Sequence, residues 1–556
     1  MHAKGWAVLG VLGLLALMAL AQWYWFGIPL DRDEGEYAYS AWRLADGGVP
    51  YRDAFMQKPP MVIYTYWLAQ RWSDSAVWPP RVLAWIFVAA TMGLVGWIAK
   101  RAGGDRCSWA AMALFVPMAS FPFLGSIAAN TEKFMNLPMM AVVALHVVDR
   151  TSSRAWRWGA AGACASIALL YKPICLPVLA FVFTAWSIGM FRSQGFRRAG
   201  IRLVALVVGA AAAAAAALAW IGARGALGDL WAAAVDFNRA YAGISGWMLG
   251  SSLRYARTFL FAWPSAVLLT IAFACGRSAR KGYWLGLLAI ALGVANLDQN
   301  GHYFIMAIPF WALVAAFGLD DLASRLPGIG RIHWYGVLAV VSAVVLWLPL
   351  RPVLGLSPRR LSQTFLLGNP FAESAEVARR VAELTQPDDG VFVEGSEPQI
   401  LFHAKRKSST RFVIAYPLTL PTRFQFAYQQ EVLEALRTEP PEVVVWVSSS
   451  MSWLSFSGPM DRHARYVGEL QSMLANSYLE VGGFVPSPGG GAWREPLDDA
   501  ERPLATLRIY RRNGGRPGPP GTSGRLLLRE HRDEHPHAGG RVAGRGQEMA
   551  DMVGGG

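Results

Sequence analysis

Charge is scarce in this chain: only 16% of its 556 residues are Asp, Glu, Lys or Arg, where a soluble protein of that length carries about 25%. Cysteine is scarcer still. Cys107, Cys164, Cys175 and Cys275 are the whole complement, and each falls inside an apolar stretch, so neither a disulfide framework nor a thiolate metal site is expected. The sequence also lacks a P-loop, a GxGxxG after a strand, an HExxH helix and a nucleophile elbow in a credible setting, which removes the usual handles for nucleotide-driven or metal-driven chemistry. What fills the space is apolar: 54% of the residues are hydrophobic, 24 of them Trp, and mean hydropathy is +0.28.

Apolar runs close to the roughly 20 residues that cross a bilayer occupy 6–28, 78–99, 107–128, 134–149, 158–171, 173–191, 203–222, 258–275, 283–296, 301–318 and 334–350. They predict a polytopic α-helical membrane protein of about eleven spans. The runs flanking Lys172 are short enough to be one segment, but a lysine in mid-membrane argues for two. Basic residues recur in every second loop, at Lys100, Arg101 and Arg106, then Arg150, Arg154 and Arg157, then Arg192, Arg197, Arg198 and Arg202, then Arg277, Arg280 and Lys281, then Arg325 and Arg331. By the positive-inside rule those loops are cytoplasmic, with the amino terminus. The net charge of +14 therefore reflects topology, and no nucleic-acid partner is expected. His2 and Lys4 precede the first span without a small-residue cleavage site before Asp31, which reads as a retained anchor.

An odd number of spans sends the remainder to the extracytoplasmic side. From 352 to 510 hydropathy falls and an α/β alternation takes over: helices over 372–384, 398–404, 424–436 and 463–474, and strands over 391–393 and 443–447. Ser396, Glu397 and Gln399 follow the first of these strands, where open sheets often bind ligands and where helix caps are equally at home. Beyond Arg511 the chain turns Gly-, Arg- and Pro-rich and is expected to be disordered, and its His531, His535 and His537 suggest a solvated tail more than a metal site. The domain expectation is a membrane part over 1–351, a small extracytoplasmic α/β domain over 352–510 and a tail over 511–556.

The segment Asp31 to Pro60, between two membrane-grade runs, concentrates the charge: seven acids and five bases lie within Asp31 to Asp74. Its features are Asp33-Glu34, Tyr37, a turn at Gly47-Gly48, and Lys58-Pro59-Pro60 leading into an aromatic helix. Four further polar points stand at the edges of later spans. They are Asn130-Thr131-Glu132-Lys133, Lys172 between Tyr171 and Pro173, the 223–257 loop with Asp236, Asn238, Arg239, Tyr241, Arg254 and Arg257, and His302-Tyr303 after Asp298, Gln299 and Asn300. A charge at a membrane edge is expensive and so points to function.

This pattern resembles the first outer loop of the GT-C membrane glycosyltransferases, in the subgroup of the aminoarabinose lipid A transferases and protein O-mannosyltransferases, and the resemblance covers about the first 350 residues. It implies transfer of a sugar from a polyprenyl-phosphate donor to a lipid, glycan or protein acceptor on the outer face of the plasma membrane, with inversion and with no cofactor assigned. Asp33 matches the family's outer-loop acid and would serve the acceptor as general base or orienting group; a helix N-cap is its other reading. Glu34 and Asp31 are weaker acidic candidates, favoured also by a helix dipole. Glu132 stands where the family places a second acid, though a polar turn paired with Lys133 would use it too. Lys58, Lys172, Arg254 and Arg257 would hold the departing phosphate, against snorkelling for the lysines and interface anchoring by Trp231, Tyr241 and Trp247 for the arginine loop. Tyr37, His302 and Tyr303 would contact substrate. Two departures from the family pattern stand out, Gln57 in place of an acid before Lys58 and Pro173 in place of a small residue after Lys172. A multi-span transporter or lipid flippase is the alternative, though no internal repeat supports it.

Overall fold

The computed structural model describes residues 2–121, 127–148, 154–194, 196–244, 257, 259–278, 280–295, 301–325, 344, 351, 354–366, 368–453, 460–487 and 490–514. The expected span at 334–350 apart from residue 344, Arg254, Trp247, Asp298 to Asn300 and the tail beyond 514 lie outside them.

Long uninterrupted apolar stretches fold locally into helices because a backbone in lipid must satisfy its own hydrogen bonds. They give α1 (His2–Gln22), then the loop helices α2 (Arg32–Ala45) and α3 (Met61–Gln70), then α4 (Trp78–Gly103), α5 (Asp105–Ala119), α6 (Thr131–Val148), α7 (Ala155–Tyr171), α8 (Leu176–Gln194) and α9 (Phe196–Ala223). After a short helical stretch with one π-helical turn at Ala232–Asp236, the series resumes with α10 (Pro264–Cys275), α11 (Lys281–Ala295) and α12 (Ile308–Arg325). Among the described residues, four helical segments are long and apolar enough to cross a membrane, Ala7–Trp25, Trp78–Gly103, Pro173–Arg192 and Phe196–Ala223. The chain breaks at Lys172, so the two short runs there are separate helices, with Pro173–Cys175 forming a 3-10 turn between them. α9 leaves Ile201, Val204, Val207 and Val208 exposed, an arrangement that water would penalise and lipid does not. α9 packs on α7 at Gly162 and Gly209, where an added Cβ would run into backbone atoms of the other helix, the close small-residue approach that associates helices in membranes.

The C-terminal part holds α13 (Pro358–Phe365), α14 (Phe371–Leu384), β1 (Val391–Glu394), α15 (Pro398–Ala404), α16 (Tyr416–Thr419), α17 (Gln425–Thr438), β2 (Val443–Val447), α18 (Met460–Ser477), β3 (Tyr478–Val485), β4 (Ala492–Arg494) and β5 (Leu507–Arg512). Its mixed sheet runs in the order β1-β2-β5-β3-β4, parallel only between β1 and β2. β1 and β2 are buried along their whole length, as a strand covered on both faces must be. The half-buried β3 and β5 lack a continuous apolar run and escape a reading by composition, and β5 carries order one residue past Arg511, where the tail was expected to begin.

Residues Met1–Pro517 form one compact unit, and α2 is where the C-terminal part meets the loop before Pro60. Arg32 donates to the carbonyls of Ser396 (3.3 Å) and Met451 (2.7 Å) and to Asn369 Oδ1 (3.0 Å). The Ser408 amide donates to Tyr39 Oη at 2.8 Å, and the Phe55 amide to the Arg411 carbonyl at 2.7 Å. Gly35 permits the contact: a Cβ there would stand 2.8 Å from the Gln399 backbone nitrogen.

Candidate active site

α2 begins with a capping box. The Asp31 carboxylate accepts from the Glu34 amide at 2.8 Å while Glu34 reaches back to the Asp31 amide, which satisfies two of the orphan donors of a helix start. Asp31 is therefore the cap, and the capping alternative for Asp33 falls away. With Asp31 fixed, Asp33 and Glu36 lie three residues apart on one face of α2, while Glu34 points to another side.

Glu34 is fully buried and its oxygens are in use. Arg81, one turn into α4, donates Nε to Glu34 Oε1 at 2.9 Å and pairs Nη2 with Oε2, and the Ala129 amide donates to Oε1 at 2.7 Å. The remaining guanidinium hydrogens go to the carbonyls of Trp25 (2.9 Å), Ile28 (2.5 Å) and Pro29 (3.1 Å). A bidentate pair so completely bonded locks α2 to the ends of α1 and α4 and to the segment before α6. Arg81 was not singled out from the sequence; the signal was a charge one turn into an otherwise apolar span.

The other face of α2 looks toward the edges of later spans. Lys58 Nζ lies 3.6 Å from Asp33 Oδ1 and 3.9 Å from Glu36 Oε2, and 5.2 Å from the centroid of the Tyr37 ring. Two bonds hold the backbone on either side of that lysine: Tyr51 Oη donates to the Lys58 carbonyl at 3.0 Å and Asn238 Nδ2 to the Gln57 carbonyl at 2.7 Å. Tyr37 is buried, with its ring edge-on to Tyr66 at 5.3 Å. From the second polar point, Glu132 in the first turn of α6 accepts from Lys172 Nζ at 2.5 Å and lies 3.8 Å from His302 Nε2. Lys172 Nζ sits over the Tyr303 ring, 3.6 Å from its centroid.

These groups make one electrostatic cluster. Burial by itself would raise the Asp33 carboxyl, but Lys58, then His302, Lys172 and Arg32, pull it down to about 2. Burial would lower the Lys58 ammonium, yet Asp33, Glu36 and Glu132 hold it above its ordinary value. Asp33 keeps about a quarter of its side chain exposed, at 27%, so an incoming molecule can reach it. The structure thus brings together Asp33, Tyr37, Lys58, Glu132, Lys172, His302 and Tyr303 from four stretches of chain; Glu34 stands apart with Arg81, Arg257 is exposed, and Arg254 is outside the described residues. Glu36 joins the cluster through Lys58, 3.9 Å away; its sequence signal is the spacing of three from Asp33. Among the described residues no group of three or more His, Cys, Asp and Glu could hold a metal ion.

No family model and no curated protein matches this sequence. Among solved structures, ArnT from Cupriavidus metallidurans bound to undecaprenyl phosphate superposes over 91% of this chain and 98% of its own, with a TM-score of 0.58 at 14% identity. The same protein in the apo state gives 0.57 at 13% identity, over 92% of this chain and 98% of its own. The chain has the GT-C fold. At 91% coverage the likeness must extend past the first 350 residues and take in the C-terminal part, farther than the loop pattern reached. The archaeal oligosaccharyltransferase AglB from Archaeoglobus fulgidus, in complex with an inhibitory peptide and a dolichol-phosphate, aligns over 90% of this chain and 75% of its own at 12% identity but at a TM-score of 0.46, too low for the fold comparison to extend to it.

Proposed function

We propose that this protein is a membrane glycosyltransferase that moves a sugar from a polyprenyl-phosphate carrier to a lipid, glycan or protein acceptor on the extracytoplasmic face. The observation that carries the reading is the cluster itself: an accessible carboxylate, Asp33, beside two buried lysines, Lys58 and Lys172, at the mouth of a bundle of apolar helices. Lipid-phosphate sugar transfer asks for that combination. An undecaprenyl phosphate bound to the ArnT of similar fold adds support for the class of donor.

In the reaction, the acceptor hydroxyl oxygen attacks the anomeric carbon as the bond from that carbon to the phosphate oxygen breaks. The electron pair leaves with the lipid phosphate, the acceptor proton passes to Asp33, and the configuration inverts. A carboxylate held near 2 by its cations is a weak base at rest. When the donor phosphate engages Lys58 and Lys172, its charge offsets their pull and Asp33 becomes basic enough to take the proton. The same lysines stabilise the charge growing on the leaving phosphate. Glu132 positions Lys172 and His302, and the Glu34–Arg81 pair fixes the helix that carries Asp33. Arg254 and Arg257 are candidates for outer contacts to the phosphate. We place the amino terminus and the basic loops in the cytoplasm, about eleven spans in 1–351, and the α/β part over 352–510 outside, following the distribution of Lys and Arg.

The deciding experiment is sugar transfer by the purified full chain from undecaprenyl phosphoglucose and undecaprenyl phosphoarabinose, with hydrolysis to free sugar as the fallback readout. Release of undecaprenyl phosphate that depends on Asp33 supports the assignment. Transport of the intact lipid across a vesicle membrane without cleavage would favour a flippase.

A further inference from the structure

Two buried polar groups beside Asp33 have no task in the reaction as written. Glu36 has no exposed side-chain surface, and neither of its oxygens takes part in a hydrogen bond among the described residues. Its cationic neighbour Lys58 is 3.9 Å away and nearer to Asp33, too far for a hydrogen bond. Tyr416 enters from α16 in the C-terminal part. The residue is 6% exposed, and its hydroxyl also has no partner among the described residues. The residue before it, Ala415, donates its amide to Ser396 Oγ at 3.0 Å, and the Ser396 carbonyl accepts from Arg32 on α2 at 3.3 Å; burial, then Glu36 and Asp33, push the Tyr416 phenol up, so the two unpaired groups share one neighbourhood with the accessible carboxylate. The Tyr416 ring lies 6.1 Å from that of Phe237, and Tyr37 flanks Lys58 on α2.

Buried polar groups are almost always bonded, and an unpaired one is costly unless a ligand completes it. We propose that Glu36 and Tyr416 form the subsite that holds the hydroxyl groups of the transferred sugar, a proposal that rests on the polyprenyl-phosphate donor reading. Position favours the sugar: Lys58 lies 3.6 Å from Asp33 and 3.9 Å from Glu36, so with the phosphate on Lys58 the next group of the donor, the sugar, comes beside these two carboxyls. Chemistry favours it too. Burial, opposed by Lys58 and aided by Asp33, pushes the Glu36 carboxyl up to about 8, so near neutrality it is mostly protonated and both donates and accepts. A phenol does likewise. Two such groups match neighbouring hydroxyls, which also donate and accept, whereas a phosphate would ask for cations and an acceptor amine for a full negative charge.

The test compares undecaprenyl phosphate with undecaprenyl phosphoglucose and undecaprenyl phosphoarabinose, with affinities measured by native mass spectrometry on the full detergent-solubilised chain. Wild type is expected to prefer the glycosylated lipids, and Glu36→Gln and Tyr416→Phe should each reduce that preference about tenfold, since a site built to bond a hydroxyl discriminates strongly once a partner is lost. Affinity for the bare lipid should stay within about twofold, which shows that the cationic site and the fold persist in each variant; should one variant lose bare-lipid binding, the other decides. Retention of the full preference by the variants, or its absence in wild type, overturns the sugar subsite while leaving the donor reading intact. Failure of wild type to bind any of the three lipids overturns the donor reading instead.

Discussion

Glu34 and Glu36 are two residues apart on one helix and both fully buried, yet their surroundings are opposite. Glu34 has a bidentate arginine and a backbone amide, while Glu36 has a lysine at the limit of an ion pair and no hydrogen bond among the described residues. A buried charge with every lone pair occupied is a fixture, and breaking it should cost stability. A buried carboxyl with its lone pairs open is held in place by the rest of the fold for something else to bind. α2 thus has a face that anchors it and a face that does chemistry, and the two should respond differently to substitution.

The largest effect is expected on the anchoring face. Arg81→Ala leaves Glu34 buried without its partner, which should destabilise the protein by about 3–5 kcal/mol, read as thermal unfolding in detergent. A loss under about 1 kcal/mol, the level of an exposed pair, would erase the distinction between the faces. On the other face, Asp33→Asn keeps the shape and leaves the Asp31 cap in place but removes a charge that its cations stabilise, so it should cost less stability than Arg81→Ala while lowering sugar transfer by about 10²-fold. Wild-type turnover in that variant would shift attention to Glu132.

Next in size, Lys58→Ala and Lys172→Ala should each weaken undecaprenyl phosphate binding by roughly tenfold or more, the worth of a charge-assisted bond. Equal affinity would show that both lysines merely reach for the membrane surface. A pH dependence separates the faces further. The Glu36 carboxyl rises from 4.5 to about 8 on folding, so the folded state keeps its proton where the unfolded chain has lost it. The stability linked to that proton is fully present below pH 4.5 and is lost as pH climbs toward 8. Wild type should therefore lose more thermal stability between those limits than Glu36→Gln, whose amide does not titrate, and parallel curves would contradict it. The smallest effect belongs to the cap, where Asp31→Asn should change stability by under ~0.5 kcal/mol because Asn caps as well as Asp; a loss of activity there would mean that Asp31 does more than start the helix.

Much of the cluster was legible as sequence because the cost of charge near lipid is a local property. Asp33, Lys58, Glu132, Lys172 and His302 each stand out against an apolar background, and the structure gathers them. What the sequence left open was which alternative each would take. Lys172 had a reading as a snorkelling lysine until Glu132 was found at 2.5 Å. Arg81 went unread because Pro79 and Pro80 suggest only a helix start. Tyr416 went unread because nothing local marks a tyrosine in a soluble-looking segment as a neighbour of α2.

The sequence by itself determined the apolar helices, the break at Lys172, the strands β1 and β2 and most helices of the C-terminal part. Each depends on composition within one window, where apolar length or periodicity decides the backbone's choice. The tertiary structure alone decided which acid on α2 is satisfied and which is open. That depends on partners such as Arg81, Ala129, Lys58 and Tyr416, brought from distant parts of the chain to one helix. A carboxylate's role follows from its burial and its bonds, and neither is a property of its own stretch of sequence.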